Sequence, residues 1–389
     1  MRKGWEFKKL GEVGTFLRGK NILKSDFVEK GLPCIHYGQI HTKFGTSTDT
    51  HLTETSQEVY NKAIIASKND VLIAITSEDL EGSCKATAWL GDYDVAVSAH
   101  AAVFKHNLNP KYIVYYLKSQ SFYIEKSKYA RGFKVMEIKP TDIAKIPIPI
   151  PPKSTQLAIV SELDKINELI RLKKEQLKDF DNLAQSLFYE MFGDPVENEK
   201  GWEVKKLKDI SREIGDGLHG TPEYSEVDTG CYFINGNNLE NGTIVIKENT
   251  KMVSEKTKAK HYIEMDDFTI LVSINGTLGK VAFYNGENVI LGKSACYIKL
   301  EAYNDKKYIF ELLKSDYFKR YAESECTGTT IRNVSLKSMR NFRCPLPPLP
   351  LQRLFAQRIE QIEREKSEVQ KSIQDFETLL ASRMQYWFE

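Results

Sequence analysis

The clearest periodic pattern in the chain is a run of apolar residues that are alternately three and four positions apart. From Thr155 to Phe192 the sequence contains neither Gly nor Pro. The apolar positions of this run are Ile159, Leu163, Ile166, Ile170, Leu177, Phe180, Ala184, Leu187 and Met191. Such spacing places the side chains along one face of a helix, which is typical of a coiled coil. The pattern therefore predicts one helix about 55 Å long.

The same pattern recurs near the end of the chain. Its apolar positions are Phe355, Ile359, Ile362, Val369, Ile373, Phe376, Leu380 and Trp387. Lys173 interrupts the first run and Lys366 the second, each near the midpoint, so an antiparallel pair of helices would bring the two lysines close together. Two interpretations stay open. Both lysines extend into solvent, or they form a polar layer that fixes the register of the pair.

The remainder of the chain carries short apolar runs rather than long periodic ones. Val71–Ile75, Val95–Val97 and Ile270–Ile274 are rich in β-branched residues and are separated by turns containing Gly and Asn, which favours strands. Short helical patterns lie among them, at Tyr112–Ser119 and Tyr308–Ser315. These regions are therefore predicted to be mixed α/β domains of the α+β class.

The chain is also internally duplicated. The segment Gly4–Val13 (GWEFKKLGEV) recurs as Gly201–Ile210 (GWEVKKLKDI), and Pro149–Pro152 (PIPP) recurs as Pro345–Pro348 (PLPP). A repeat of nearly half the chain is far longer than the roughly 20–50 residues of a solenoid repeat. The duplication therefore copies a whole domain together with its helix, and it predicts a molecule with pseudo-two-fold symmetry.

The two observations together predict the domain organisation. We expect mixed α/β domains at residues 1–152 and 196–348. A long helix should follow each domain, at residues 153–195 and 349–389, and the two helices should pair antiparallel as a coiled coil.

Composition excludes few classes of protein. The formal net charge is only +2, so the total does not identify a nucleic-acid binder, and any basic surface has to be local. No run approaches the 18 apolar residues of a membrane span, and the N-terminus lacks the apolar region of a signal peptide. The cysteines are scattered singly, which indicates reduced thiols and a cytoplasmic protein.

The sequence completes none of the catalytic motifs that its segments approach. Gly14–Asn21 falls one residue short of a phosphate-binding loop, and Asn21 replaces the hydroxyl residue that would hold Mg²⁺. Asp194-Pro195 is followed by Val196, which does not complete an amino-methyltransferase motif. The histidines show no metal-ligand spacing. We therefore expect no catalytic residue, cofactor or metal site. A DNA reader, a protein scaffold and an enzyme that uses the Gly14–Asn21 loop remain as alternative classes.

Several segments, in their order along the chain, resemble a known family. They are Gly201–Leu207 (GWEVKKL), Asp216–Pro222 (DGLHGTP), Ser273–Val281 (SINGTLGKV), Thr327–Asn333 (TGTTIRN) and Pro345–Gln352 (PLPPLPLQ). Together with the duplication, they make essentially the whole chain similar to the specificity subunit of type I restriction-modification systems. The first half departs from the pattern, with Leu17–Ile22 in place of the DGLHGT segment.

This resemblance implies a non-catalytic subunit that selects the DNA site. Two target recognition domains would each read one half of a bipartite, asymmetric site in double-stranded DNA, and two long antiparallel helices would hold these domains apart. The resemblance also implies that two methyltransferase subunits dock on the helices and that restriction subunits join the full complex.

Candidate DNA contacts are basic and amide residues in loops that contain Gly, because phosphates position a reader and base edges are read by bidentate donors and acceptors. The candidates are Arg18, Lys20, Tyr37, Gln39, Lys85, Arg131, Lys134, His219, Thr221, Asn235, Asn237, Asn238, Asn275, Lys280, Thr329 and Arg332. Arg131 and Arg332 are the strongest, since each lies in a Gly-containing loop just before the chain returns to a helix. For the Asn-Gly pairs, ordinary turn chemistry is an equally good explanation.

Overall fold

The structure is a computed structural model that describes residues 5–20, 22–132, 134–327 and 332–389. It divides into two compact units. Unit one comprises Met1–Lys174 and Lys371–Glu389, and unit two comprises Glu175–Gln370. Among the described residues, no helix is both long enough and apolar enough to cross a membrane.

The elements of the first half alternate short strands with short helices. The strands are β1 (Glu6–Lys9), β2 (Gly14–Arg18), β3 (Phe27–Val28), β4 (Leu32–Ile35), β5 (Ser47–Thr48), β6 (Thr53–Thr55), β7 (Ile64–Ala66), β8 (Val71–Ala74), β9 (Thr76–Ser77), β10 (Ala86–Trp89), β11 (Val95–Val97), β12 (Ala101–His106), β13 (Met136–Glu137) and β14 (Pro147–Ile150). The helices are α1 (Leu10–Val13), α2 (Tyr37–Thr42), α3 (Gln57–Lys62), α4 (Pro110–Leu117), α5 (Gln120–Ser127), α6 (Pro140–Ile143) and α7 (Lys153–Phe192).

The second half repeats this organisation. Its strands are β15 (Glu203–Lys206), β16 (Ser211–Asp216), β17 (Tyr232–Ile234), β18 (Leu239–Glu240), β19 (Thr243–Ile244), β20 (Thr269–Ser273), β21 (Val281–Phe283), β22 (Val289–Leu291), β23 (Ala295–Leu300) and β24 (Arg343–Leu346). Its helices are α8 (Glu255–His261), α9 (Lys306–Lys314), α10 (Asp316–Ser324), α11 (Leu336–Asn341) and α12 (Leu349–Phe388).

Each half is built on one main sheet with further strand pairings beside it. The main sheet of unit one has the order β2-β12-β8-β10-β5, and that of unit two has the order β16-β23-β20-β21. A second sheet of unit one, with the order β3-β6-β4-β11-β7, is also five-stranded. Its parallel pair, β4 with β11, corresponds to the parallel pair β17 with β22 in unit two. Buried side chains such as Ile73 and Phe104, or Val272 and Ile298, form the cores under the main sheets.

The two duplicated sequence signals of each half pair with one another. The GWE-containing segment forms β1, which pairs antiparallel with the Pro-rich strand β14 so that Phe7 lies opposite Pro149. In the second half β15 pairs with β24, and Val204 lies opposite Pro345. Proline has no N–H to donate, so within sheets it occurs mainly in edge strands. A two-stranded pairing suits these segments because each strand has only one hydrogen-bonded neighbour. Each Pro-rich segment thus begins as a strand and then leads into a long helix.

The long helices pack antiparallel within each unit. In unit one, residues 153–174 of α7 lie along residues 371–388 of α12, where Lys174 Nζ is 2.8 Å from Glu377 Oε1 and Arg383 pairs with Glu162. In unit two, Phe188 of α7 packs edge-to-face on Phe355 of α12. The prediction of duplicated mixed α/β domains with long antiparallel helices is confirmed.

The contacts of Lys366 distinguish, for its own position, between extension into solvent and a polar layer. Its side chain is 22% exposed, and its Nζ lies 2.9 Å from Asp181 Oδ1 and 3.1 Å from Glu363 Oε1. Asp181 belongs to α7 and Glu363 to α12, so the lysine links the two helices. This arrangement favours a polar layer over extension into solvent for Lys366.

Candidate nucleic-acid interface

The strand register of unit one places most of its candidates at one end of the main sheet, where β2 and β8 end and β10 and β12 begin. Arg18 at the end of β2 lies opposite Ala102, and Ala101 at the start of β12 lies opposite Ala74 at the end of β8. The carbonyl of Lys85, just before β10, accepts a hydrogen bond from the N–H of Ala74. We call this end, with residues 18–20, 75–85, 98–100, 131–132 and 134–137, the first loop edge. Asp70, Trp89 and His106 mark the opposite edge.

Basic side chains at the first loop edge differ in how far they are already paired. Arg18 Nη2 lies 2.9 Å from Glu137 Oε1, close enough for an ion pair although the alignment is not that of a hydrogen bond. Arg131 is joined to Glu137 by two backbone hydrogen bonds, and its guanidinium lies 3.5 Å from Asp142. These acidic partners partly neutralise both arginines. A DNA phosphate would therefore have to compete with Glu137 for Arg18 and with Asp142 for Arg131.

Three lysines at this edge are exposed, and within the described ranges we find no ion pair for any of them. They are Lys20, Lys85 and Lys134. Their charges are therefore available to an anionic partner, and each phosphate that a lysine neutralises would add to the salt dependence of binding.

Tyr37 and Gln39 follow β4 and reach the first loop edge from the second sheet of unit one. Tyr37 donates its backbone N–H to Ser98 Oγ at 3.0 Å. Gln39 is committed internally, since its Oε1 accepts the His36 N–H at 3.0 Å and its Nε2 donates to Thr53 Oγ1 at 3.2 Å. The Gln39 side chain thus caps the first turn of α2 and has no obvious amide group left for a base.

The second loop edge is built in the same way. Asp216 at the end of β16 lies opposite Cys296, and Ser273 at the end of β20 lies opposite Ala295. The N–H of Ser273 donates to the carbonyl of Lys280, just before β21. We define this edge as residues 216–221, 274–280, 292–294, 327, 332 and 333.

The candidates at the second loop edge are mostly exposed. His219 is 70% exposed, and its Nε2 lies 2.8 Å from Asp216 Oδ2, a carboxylate partner rather than the backbone carbonyl that turn chemistry would supply. Thr221 is exposed beside it. Lys280 lies 3.8 Å from Glu240, and Arg332, 64% exposed, lies 3.6 Å from Glu323.

Asn275 links two loops of the second edge. Its Nδ2 donates to Asn333 Oδ1 at 3.4 Å, and the N–H of Gly276 donates to the carbonyl of Arg332. These hydrogen bonds place Asn275 and Arg332 in adjoining loops. Thr329 lies outside the described residues.

The three asparagines after β17 separate into different environments. Asn237 is exposed. Asn235 accepts from Ser294 Oγ at 2.9 Å through its own side-chain oxygen. Asn238 is 8% exposed, accepts the Asn235 N–H, and donates to Val245 and Thr250. Asn238 therefore organises its loop, as Gln39 does in the first half, and its amide does not reach the surface.

The two loop edges contain corresponding backbone hydrogen bonds. Arg131 and Glu137 exchange backbone hydrogen bonds in the first domain, and Thr327 and Asn333 do so in the second. Arg131 thus opens its loop, whereas Arg332 stands one position before the close of the equivalent loop. The two arginines occupy different places, a distinction that the shared Gly-containing loops did not reveal.

Sequence reasoning missed a cluster of histidines at and beside the first loop edge. His36, His41 and His100 surround the Tyr37 ring, with ring centroids 4.5, 6.1 and 5.3 Å away. Burial, with the nearby charges of Lys24 and His100, lowers the pKa of His36. These histidines lie up to 64 positions apart (His36 to His100), so no local motif could have grouped them. Among the described residues, these histidines included, no group of three or more His, Cys, Asp or Glu side chains is arranged to hold a metal.

Comparison with known proteins decides the family. The model of the type I restriction modification DNA specificity domain matches residues 2–179 and again residues 199–375. The chain belongs to this family. The two matches correspond to the two halves of the duplication and together cover most of the sequence.

Curated relatives of the family match almost the whole chain. The type I restriction enzyme MjaVIII specificity subunit of Methanocaldococcus jannaschii is 21% identical and covers 97% of this chain and 92% of its own length. The StySPI specificity subunit of Salmonella potsdam is 23% identical, covering 98% and 87%, and the EcoKI specificity subunit of Escherichia coli strain K12 is 22% identical, covering 95% and 84%.

Solved structures of the same kind share the fold. A chain from a type I restriction-modification system superposes with a TM-score of 0.66 at 17% identity, covering 99% of this chain and 97% of that one. The S subunit from M. genitalium gives 0.50 at 14% identity, covering 99% and 96%. As a type I specificity subunit, this protein recognises the DNA sequence and is not itself a catalyst.

Proposed function

We propose that the two loop edges are the DNA-reading surfaces of this specificity subunit and that each reads one half of a bipartite, asymmetric site. The observation that carries the proposal is the strand register, which brings candidates from distant parts of the sequence to the same end of each main sheet. A reader needs exposed cations for phosphates and uncommitted polar groups for base edges, and both kinds lie there.

The proposed interface keeps every candidate except two. Gln39 and Asn238 are excluded because the oxygen and the nitrogen of each amide already hydrogen-bond within the domain. The retained residues are Arg18, Lys20, Tyr37, Lys85, Arg131 and Lys134 in the first domain, and His219, Thr221, Asn235, Asn237, Asn275, Lys280, Thr329 and Arg332 in the second. For the division into domains we propose residues 1–152 and 196–348 as readers, with 153–195 and 349–389 as the helices that join them.

A pair of equivalent lysines tests the proposed surface. Lys85 and Lys280 hold matching places, since the carbonyl of each accepts a backbone hydrogen bond from the end of the neighbouring strand at 2.8 Å. In the complex with its methyltransferase partners, Lys85→Ala and Lys280→Ala should each weaken DNA binding and reduce its salt slope by about one.

The control for this test lies on the same sheet. Lys68 sits at the opposite edge of the first domain, where it pairs with the exposed Asp92. Lys68→Ala should leave both the affinity and the salt slope unchanged. A loss for Lys68→Ala equal to that for Lys85→Ala would show that the loop edge is not the DNA surface.

We further propose that the long helices dock two methyltransferase subunits and that restriction subunits join the complex afterwards. Large apolar side chains are exposed on these helices, and two of them, Leu183 on α7 and Leu379 on α12, are duplicated positions that are 50% and 43% exposed. A duplicated apolar position suits two copies of one partner. Unpaired thiols at Cys34, Cys84 and Cys231 support assembly in the reducing cytoplasm.

The stoichiometry of this docking is measurable. Leu183→Asp or Leu379→Asp alone should reduce the methyltransferase subunits per chain from two to about one, measured by native mass, and the double variant should bind neither. Gln361→Asp, an exposed change on α12, should keep both. Two subunits bound by the double variant would place the docking surface elsewhere.

A further inference from the structure

His100 occupies an unusual backbone position at the first loop edge. It lies in the segment that passes from β11 to β12, and its φ is +67°, in the left-handed region. A non-Gly residue there carries strain that the surrounding structure must hold, and such residues concentrate at functional sites. The hydrogen bond from the N–H of Ile75 to the carbonyl of His100, at 2.9 Å, fixes this conformation.

Tyr37 lies directly beside His100. The two ring centroids are 5.3 Å apart with an angle of 56° between the planes. The backbone of Tyr37 is tied to Ser98, two residues before His100, by the hydrogen bond to Ser98 Oγ. The two side chains are therefore held as a unit at the exposed end of the sheet.

Each of the two neighbouring histidines has one ring nitrogen engaged within the protein. His41 Nε2 lies 2.9 Å from the carbonyl of Thr76, and His36 Nδ1 accepts the N–H of Gly38 at 3.2 Å. Within the described chain we find no hydrogen bond for the His100 imidazole or the Tyr37 hydroxyl. His100 and Tyr37 therefore keep all the polar atoms of their side chains for an external partner.

The second domain uses the equivalent position differently. Ser294 stands where His100 does, because its carbonyl accepts the N–H of Ile274 at 3.0 Å as that of His100 accepts the N–H of Ile75. Ser294 Oγ accepts the N–H of Gly236 and donates to Asn235 Oδ1, both at 2.9 Å. The Ser294 hydroxyl thus stabilises its own loop through these hydrogen bonds. The two domains therefore present different side chains at matching positions.

We propose that His100 and Tyr37 together contact a base edge in the half-site of the first domain and set the base preference at one position. This inference rests on the proposed function of the first loop edge. The imidazole N–H and the phenol O–H suit the N7 and O6 acceptors of a guanine in the major groove. The packed rings lose little conformational freedom on binding, which suits a discriminating contact.

The variants can be chosen so that the fold is kept. His100→Gly removes the ring and also relieves the left-handed backbone, and Tyr37→Phe removes only the hydroxyl. The matched control is His51→Gly. His51 also packs on a tyrosine, Tyr93, at 5.5 Å, but that pair lies at the end of the domain that carries Trp89. Thermal unfolding confirms that each variant is folded before its DNA preference is measured.

Methylome sequencing of cells that carry the complete enzyme gives the result. In His100→Gly and Tyr37→Phe, one position of one half-site should lose roughly 5- to 150-fold of its discrimination, with the other half-site unchanged. The motif of His51→Gly should equal that of the wild type. An unaltered motif in His100→Gly, or a uniform loss of methylation without relaxation at any base, overturns the inference. If the wild-type motif is not bipartite, the proposed function itself fails instead.

Discussion

The side chain of Gln156 accepts a hydrogen bond from the backbone N–H of Asn109 at 3.0 Å. Its Nε2 also donates to the carbonyl of Pro151 at 2.9 Å. Gln352 repeats this arrangement in the second half, with the N–H of Asp305 at 3.0 Å and the carbonyl of Pro347 at 2.8 Å. Both glutamines are almost fully buried. Each one therefore locks the start of a long helix to the loop that enters α4 or α9.

Replacing either glutamine by methionine should destabilise its unit. Gln156→Met keeps the volume but leaves a buried N–H and a buried carbonyl without partners, so the free energy of unfolding should fall by about 1–3 kcal/mol. Gln352→Met should behave alike, and the exposed Gln361→Met should change stability by less than about 0.5 kcal/mol. Denaturant unfolding measures all three. Equal stability of Gln156→Met and Gln361→Met would show that the joint is unimportant.

His106 should make the first domain sensitive to acid. Burial lowers its pKa to about 4, and its ring nitrogens lack hydrogen bonds of good geometry. The unfolded chain takes up this proton near pH 6.5 and the folded chain only near pH 4. The free energy of unfolding should therefore decrease as the pH falls from 6.5 to 4, by about 3 kcal/mol in total.

The variant His106→Phe isolates this contribution. Its ring can keep the packing on Phe104, whose centroid is 5.0 Å away, without a group that titrates. Denaturant unfolding from pH 7 to pH 4 should show a smaller loss of stability for the variant than for the wild type. Parallel pH profiles of the two proteins would argue against a buried neutral His106.

Much of this architecture was readable in the sequence, and the reasons are physical. The long helices follow from an apolar spacing that only a helix can satisfy, and the duplication located both domains. The pairing of Phe7 with Pro149 and the assembly of Tyr37 with His100 could not be predicted. Both join residues that are far apart in sequence, and the tertiary fold alone determines such contacts. The internal roles of Gln39 and Asn238 were hidden for a related reason, since an amide that caps a turn and one that reads a base look alike in sequence.

Arg332 provides a test of a single contact. If Arg332→Ala removes a base contact, it should cost about 1–3 kcal/mol in DNA binding and relax one position of the second half-site. If the guanidinium holds a phosphate, affinity should fall evenly across sequences and the salt slope should shrink by about one. Binding titrations at several salt concentrations distinguish these outcomes. Arg320→Ala, an exposed change on α10, is the control, and an affinity equal to that control would remove Arg332 from the interface.

The helices should set the spacing between the half-sites. An insertion of four residues between Leu163 and Lys178 adds about 6 Å of helix and about 40° of rotation. The coiled coil can absorb such a stutter by local unwinding. We expect the non-specific spacer of the DNA motif to lengthen by one or two base pairs, since each base pair of B-DNA rises about 3.4 Å, while both half-sites keep their sequences. The original spacer in the methylome of this variant would show that the helices are not the ruler.

The most direct test of two independent readers is a domain exchange. Residues 1–150 would be replaced by the equivalent part of a related specificity subunit, with both long helices and the second domain kept, and the methylome of cells carrying the complete enzyme would be sequenced. The account predicts a motif in which one half-site changes to that of the donor while the other half-site keeps its sequence. A motif changed in both halves, or in neither, would contradict it.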